Sequence, residues 1–375
     1  MKISSVICQI LRIEDVEART AGTQDTIIIR IRTDDGLEGI GEADASPEVI
    51  KAIIDAPFSH NIACGLRELL IGRNPLETDS IRQWLYRRTM YYGRRAVGVA
   101  AMAGVDMALW DLKGKYFGQP IHVLLGGKKH GSIPAYASIL FGRDGQATRD
   151  IAERWWDAGY RAIKFGWEPM GQSESLDREL VKGARAGFRD GTLLVDAGCV
   201  WDARTALNRA HSFQQENIGW LEEPLSQDDL EGYVWLRDRS PVPIAAGEGE
   251  CGRAAFRPWI ERRALDIYQI DLARNGFTDS TYIGQRVEES GGRVCNHCYK
   301  TSLSVAACLQ WLCTQSSAFL FEDCVEDSPL RHQLTTEPLK AVNGAITVPD
   351  APGLGVILDE DFVKAHLITE SGDDE

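Results

Sequence analysis

The sequence predicts an α/β chain: a parallel (β/α)8-type barrel joined to a smaller α+β region. Three observations lead there. From about residue 130, short apolar strand-like runs alternate eight times with longer amphipathic stretches, the pattern of strands covered by return helices. Before residue 125 the pattern differs, with antiparallel strands followed by helices. The 375-residue length suits two domains at ~150 residues each, or one large barrel with additions.

The elements follow in order. Residues 3–12 and 26–33 (TIIIRIRT) read as strands, and Asp34-Asp35-Gly36 before GLEGIGEA reads as a hairpin turn. Residues 48–56 and 79–117 read as helices; Val97, Ala101, Val105, Ala108 and Leu112 fall on one helical face, and Gly118-Gln119-Pro120 ends the run. The barrel strands are then 133–138, 161–164, 192–196, 220–222, 244–246, 267–271, 293–297 and 318–322. Between them, 146–158, 175–186, 203–216 and 302–313 are helical. Beyond Gln333 the alternation stops, and the GLGV and TVPD turns suggest a tail that folds back onto the first region.

Composition excludes several classes. Asp plus Glu total 55 against 41 Lys plus Arg, a net charge of −14, which argues against a nucleic-acid partner, since phosphate contacts need clustered Lys and Arg. The most apolar run, 96–105, is too short for a membrane span, which needs ~20 residues. Glu14 and Asp15 interrupt the N-terminus before any signal-like apolar stretch. Nine scattered cysteines suit reduced, buried thiols, so a cytoplasmic location is expected.

Seven barrel strands end on a polar or charged residue: Lys164, Asp196, Glu222, Glu248, Asp271, His297 and Glu322. In a (β/α)8 barrel these ends converge on one mouth. A lone acid after a strand is usually a helix cap or a solvated loop residue. Three acids from adjacent strands, Asp196, Glu222 and Glu248, would instead repel one another, and a hard divalent cation with oxygen ligands, Mg²⁺, resolves that repulsion. Cys295 and Cys298 form a CxxC with no second pair, so they read as packing residues rather than a zinc site.

At these residues the sequence resembles the mandelate racemase subgroup of the enolase superfamily. The segments GVDMALWDLKGKYFGQPIHVLLGG (104–127), LLVDAG (193–198), WLEEP (220–224), PIAAGE (243–248) and YQIDLARNG (268–276) carry the resemblance. It implies a capping domain, built from residues 1–128 and the 331–375 segment, over a barrel at 129–330. It implies Asp196, Glu222 and Glu248 as Mg²⁺ ligands, choosing Glu222 over Glu223. It implies an Asp271–His297 dyad, Glu322 at the last strand, Lys164 as the first lysine of a Lys-x-Lys motif, and a homo-oligomer, dimer to octamer. The chemistry implied is removal of a proton α to a carboxylate, with stabilisation of the enediolate; sites of this superfamily pair a Lys or His base with Mg²⁺. Lys164 would neutralise the substrate carboxylate or move a proton, His297 would be the acid/base, and Glu322, if protonated, would donate a hydrogen bond to the oxyanion.

Two departures shape the reading. Gly166 stands where the second lysine would be, which favours a reaction that His297 runs alone: β-elimination of water from an acid sugar, aldonate or aldarate, to a 2-keto-3-deoxy acid. The alternatives are a sugar-lactone cycloisomerase, a racemase or epimerase, and, more remotely, a catalytically silent binding protein on the same scaffold. Gly198 stands where the family often has Asn, which suggests a bulkier ligand. Trp167 is a candidate pocket residue. Segments 14–25 and 46–60, with Arg19, Thr20, Thr23, Gln24 and His60, are the candidate substrate-selecting loops.

Overall fold

The computed structural model describes residues 1–14, 16 and 24–372. Arg19, Thr20 and Thr23 therefore lie outside the described residues. The chain opens with three antiparallel strands, β1 (Ile3–Arg12), β2 (Asp25–Thr33) and β3 (Glu38–Ala43). β2 and β3 are joined by the expected tight turn, in which Gly36 takes φ 87°. Helices α1 (Pro47–Asp55), α2 (Leu66–Leu70), α3 (Thr78–Arg88), α4 (Val97–Phe117) and α5 (Ile121–Leu124) follow. The predicted helix over 79–117 is thus two helices. Thr89 ends the first, and the Tyr-Tyr-Gly-Arg-Arg run with Ala96 at φ 44° breaks the backbone before α4. Gly93 costs helix propensity at the break.

Helix α4 is the joint of the molecule. Ala101, Val105, Ala108 and Leu112 of the predicted face lie in the core beneath the β1–β3 sheet. The opposite side, with Asp106 and Trp110, meets the barrel through Thr278, whose backbone N–H and side chain bond Asp106 and whose Oγ1 accepts from Trp110 Nε1 at 2.9 Å. Burial on both sides explains why its apolar pattern is only partly one-faced.

The barrel strands are β4 (Ser132–Leu140), β5 (Ala162–Gly166), β6 (Thr192–Asp196), β7 (Ile218–Glu222), β8 (Ile244–Ala246), β9 (Ile267–Asp271), β10 (Arg293–His297) and β11 (Phe321–Cys324). The covering helices are α6 (Gly145–Asp157), α7 (Glu174–Phe188), α8 (Ala203–Phe213), α9 (Leu230–Arg237), α10 (Arg253–Glu261), α11 (Leu272–Ser290) and α12 (Ser302–Leu312). All eight strands are parallel, in the hydrogen-bonded order β10-β9-β8-β7-β6-β5-β4-β11. β10 and β11 flank the seam, where Asn296 Oδ1 accepts from the Glu322 N–H at 3.0 Å. This is the curled parallel sheet of a modified (β/α)8 barrel under an α+β cap. The last strand is shifted from its expected 318–322.

After α13 (Pro329–His332) the tail divides. β12 (Ala345–Thr347) pairs antiparallel with β4 of the barrel. Helix α14 (Glu360–His366) leads into β13 (Leu367–Ser371), which pairs antiparallel with β1. Among the described residues no helix is long and apolar enough to cross a membrane.

Candidate active site

Side chains alternate along a strand, so residues two apart share a face. Tyr136, Ala162, Leu194, Trp220, Cys295 and Leu320 form one buried cluster inside the barrel. Two residues further on stand Ser138, Lys164, Asp196, Glu222, His297 and Glu322. The functional ring is therefore the layer of the barrel interior above an apolar floor. Glu248 joins it from two residues past β8, after Gly247 at φ 126°.

The cavity here has a volume of about 270 Å³ and is lined by Asp44, Ser138, Ile139, Leu140, Lys164, Gly166, Trp167, Asp196, Gln227, Glu248, Arg274, His297 and Tyr299. Asp196, Glu222 and Glu248 converge beside it: one oxygen from each lies within 4.8 Å of the others. All three are buried, and burial together with the charges of Glu222 and Glu248 drives Asp196 well above the usual carboxylate range. Three hard oxygen donors in mutual repulsion fit a divalent cation such as Mg²⁺. Glu223 points elsewhere, accepting from Gln227 Nε2 at 3.0 Å and from the Cys199 thiol at 3.2 Å. Burial and the Glu248 charge push its carboxyl up to about 7.

The Lys164 ammonium is bonded to Glu222 Oε1, lies 2.8 Å from Glu322 Oε1 and 3.9 Å from Asp196 Oδ2. Burial alone would lower its pKa, but the charges of Glu222, Glu322, Asp196 and Glu248 hold it well above the usual lysine value. Lys164 is a fixed cation in this arrangement.

His297 Nδ1 lies 2.6 Å from Asp271 Oδ2, and its Nε2 is 3.5 Å from Glu248 Oε2. Asp271 is itself anchored, because its Oδ1 caps α11 by accepting from the Ala273 N–H at 2.7 Å. The dyad is thus held by a helix start. Burial opposes protonation of His297, but Glu248, Glu322 and Asp271 raise its pKa well above the ordinary value. Tyr299 stacks parallel to the imidazole, with ring centres 6.4 Å apart.

Glu322, expected to act as an oxyanion donor if protonated, is surrounded by donors. It accepts from Lys164, from Ser138 Oγ at 2.8 Å and from the Cys298 N–H at 2.7 Å. Burial pushes its carboxyl up, but Lys164, His297 and these bonds outweigh that and hold it at about 2. In each of these bonds Glu322 is the acceptor, and one of them ties down the Lys164 ammonium.

The two glycine departures also acquire physical causes. A Cβ at Gly166 would stand 2.9 Å from Asp196 Oδ2, so a side chain here would have to displace the Asp196 carboxylate. A Cβ at Gly198 would stand 3.2 Å from the Trp167 indole. The space expected to admit a bulkier ligand is filled by Trp167, which lines the cavity as anticipated. Of the other candidates, the Gln24 carbonyl accepts from the Ile13 N–H at 3.0 Å, and His60 packs edge-on against Tyr91 with ring centres 5.8 Å apart, outside the cavity lining. Cys295 and Cys298 are free and buried. Asp44, Arg274 and Gln227 line the cavity and escaped the sequence reading. Only Arg274 carried a signal, three residues past Asp271.

An enolase-type barrel with a convergent acid triad, a lysine and an Asp–His dyad defines a class, and the comparisons agree with it. Residues 9–126 match the mandelate racemase/muconate lactonizing enzyme N-terminal domain, and residues 147–362 match the enolase C-terminal domain-like family. The chain belongs to the mandelate racemase subgroup of the enolase superfamily.

Among its relatives, the D-galactarolactone cycloisomerase of Agrobacterium fabrum is 31% identical over 353 residues, covering 89% of each chain. The D-galactonate dehydratase of Variovorax paradoxus is 29% identical over 355 residues, covering 90% of each. The crystal structure of the 3,6-anhydro-D-galactonate cycloisomerase from Zobellia galactanivorans superposes with a TM-score of 0.88 at 28% identity, covering 98% of this chain and all of that one.

Proposed function

We propose that this protein is a Mg²⁺-dependent acid-sugar dehydratase that converts a polyhydroxy acid to its 2-keto-3-deoxy product. The observation that carries this reading is the pairing of one mobile-proton group, the Asp271-held His297, with a position, Gly166, that offers no second base and where a side chain would displace Asp196. Asp196, Glu222 and Glu248 would hold the cation, which when bound neutralises the charge that develops on the substrate carboxylate.

The remaining work falls to the protein. Lys164, fixed by Glu222 and Glu322, offers an ammonium to the substrate carboxylate. His297 Nε2, the ring nitrogen on the side away from Asp271, takes the α-proton, while Asp271 holds Nδ1 and stabilises the imidazolium. His297 then returns that proton to the departing 3-hydroxyl, so one group serves both halves of the elimination. A racemase would need a second acid/base across the substrate, and Lys164 is already engaged.

A second reading is a sugar-lactone cycloisomerase, an intramolecular version of the same proton abstraction. The relatives from A. fabrum and Z. galactanivorans favour it. The reading extends to a homo-oligomer and to a reducing, cytoplasmic setting, which suits nine free cysteines.

The test is to incubate purified protein and Mg²⁺ with a panel of aldonates, aldarates and their lactones. A 2-keto-3-deoxy product with loss of water supports the dehydratase. Isomerisation of a lactone with one solvent deuteron incorporated and no net loss of water supports the cycloisomerase. No product and no α-proton exchange from any acid would leave the silent binding protein.

A further inference from the structure

One wall of the cavity comes from the cap. Asp44 directly follows β3, and its backbone N–H donates to Ala273 O at 3.0 Å, which ties it to the start of α11. Its Oδ2 accepts from Arg274 Nε at 2.8 Å, and its Oδ1 lies 3.7 Å from Lys300 Nζ. Arg274 also donates through Nη1 to Glu248 O at 2.8 Å. Lys300 donates to Asp25 O at 3.1 Å and lies 3.7 Å from the Asp25 carboxylate. One oxygen of Asp44, one of Asp271 and a ring nitrogen of His297 lie within 4.8 Å of one another. A cap carboxylate thus stands beside the dyad, facing the cavity.

Two features of this wall decide what it can hold. A carboxylate accepts hydrogen bonds and donates none, and each oxygen can take more than one donor. Arg274 uses one site, so Asp44 keeps acceptor capacity toward the cavity. The cations of the wall are also paired: Arg274 stands against Asp44, and Lys300 and Arg12 stand against Asp25. Among the described residues each cation of this wall already has a carboxylate partner, so none is left over to neutralise a second substrate carboxylate, and a like charge against Asp44 is penalised.

We propose that Asp44 is a specificity-determining residue that accepts hydrogen bonds from substrate hydroxyls next to the α-carbon and restricts the site to polyhydroxy acids bearing one free carboxylate. Aldonates qualify, as do lactones in which the second carboxyl of a sugar diacid is closed; open aldarates do not. This narrows the function proposed above and rests on it. It also adds the residue that follows β3 to the segments expected to select substrate.

Binding to a variant that cannot turn over tests the inference apart from catalysis. The Mg²⁺-loaded His297→Asn protein is titrated calorimetrically with D-galactonate and D-gluconate, and with D-galactarate and D-glucarate. The expected result is at least tenfold tighter binding of the monocarboxylates. Adding Asp44→Asn should bring the four acids within about twofold, whereas Asp44→Glu, which keeps the charge, should retain the order. Thermal melting checks that each variant folds, and Asp44→Ser replaces Asp44→Asn if that one does not. Aldarates bound as tightly as aldonates in the presence of Asp44, a preference unchanged by its neutralisation, or no binding of any of the four acids would overturn the proposal. Failure of the dehydratase reading looks different: wild-type protein binds monocarboxylates with the expected order but releases no 2-keto acid.

Discussion

The barrel ring and the cap wall reach the same cavity by different routes. Lys164, Asp196, Glu222, His297 and Glu322 sit on regular strands, each two positions above an apolar floor residue, so their direction follows from strand alternation; Glu248 alone joins from beyond its strand, after Gly247. Asp44 and Lys300 lie outside strands and are aimed by contacts between cap and barrel. Glu42 shows how that docking is made. It is fully buried on β3, yet it accepts from Thr26 within the cap and from Thr301 Oγ1 at 2.9 Å and Ser304 Oγ at 2.6 Å at the start of α12. The difference teaches that the proposed chemistry rests almost wholly on the barrel strands, while the proposed substrate choice rests on the interface between cap and barrel.

The largest way to break the contrast is to strike the triad. Glu222→Gln, or stripping divalent metal with a chelator, should cost about 10³-fold or more in kcat/KM, since metal stabilisation of charge is worth several kcal/mol. The variant should also show weakened Mg²⁺ binding by calorimetry, a readout independent of turnover. Unchanged activity in metal-free protein would remove the triad from the mechanism.

His297→Asn should lower kcat by about 10²–10⁴-fold, the range of a lost general acid/base, and should abolish α-proton exchange in D₂O. Retained exchange would mean that another group carries the proton.

Gly166→Ala sharpens the claim that the missing lysine is a matter of space. Its Cβ meets Asp196 Oδ2 at 2.9 Å, so the triad must shift. Overpacking of this kind costs about 1–3 kcal/mol, read as a lower melting temperature, and Mg²⁺ affinity should fall with it. Gly166→Lys should gain no racemase activity.

The smallest effect lies at the joint. Burial pushes the Asp106 carboxyl up to about 7, against bonds from Thr278. A carboxyl whose pKa is raised on folding stabilises the fold below its unfolded value, near 4, and this contribution is lost as pH rises toward 7. Asp106→Asn should therefore gain relative to wild type between pH 5 and 8, by on the order of 2 kcal/mol, measured by denaturant unfolding across that range. A difference that does not vary with pH would refute the raised pKa.

By itself the sequence determined the eight strands, the hairpin, the closing tail and the seven ring positions, because the period-2 alternation and the turn residues that set them are local. It also placed the departures at Gly166 and Gly198, but not their meaning. That Gly166 faces a carboxylate, that Trp167 fills the space at Gly198, and that Glu322 accepts three donors are consequences of which strands neighbour which. Asp44 reached the dyad without a sequence signal, since 230 positions separate it from Arg274. Only the tertiary structure decides such pairings: burial and ion pairing depend on distance in space, and docking of the cap on the barrel brings together residues that the chain keeps apart.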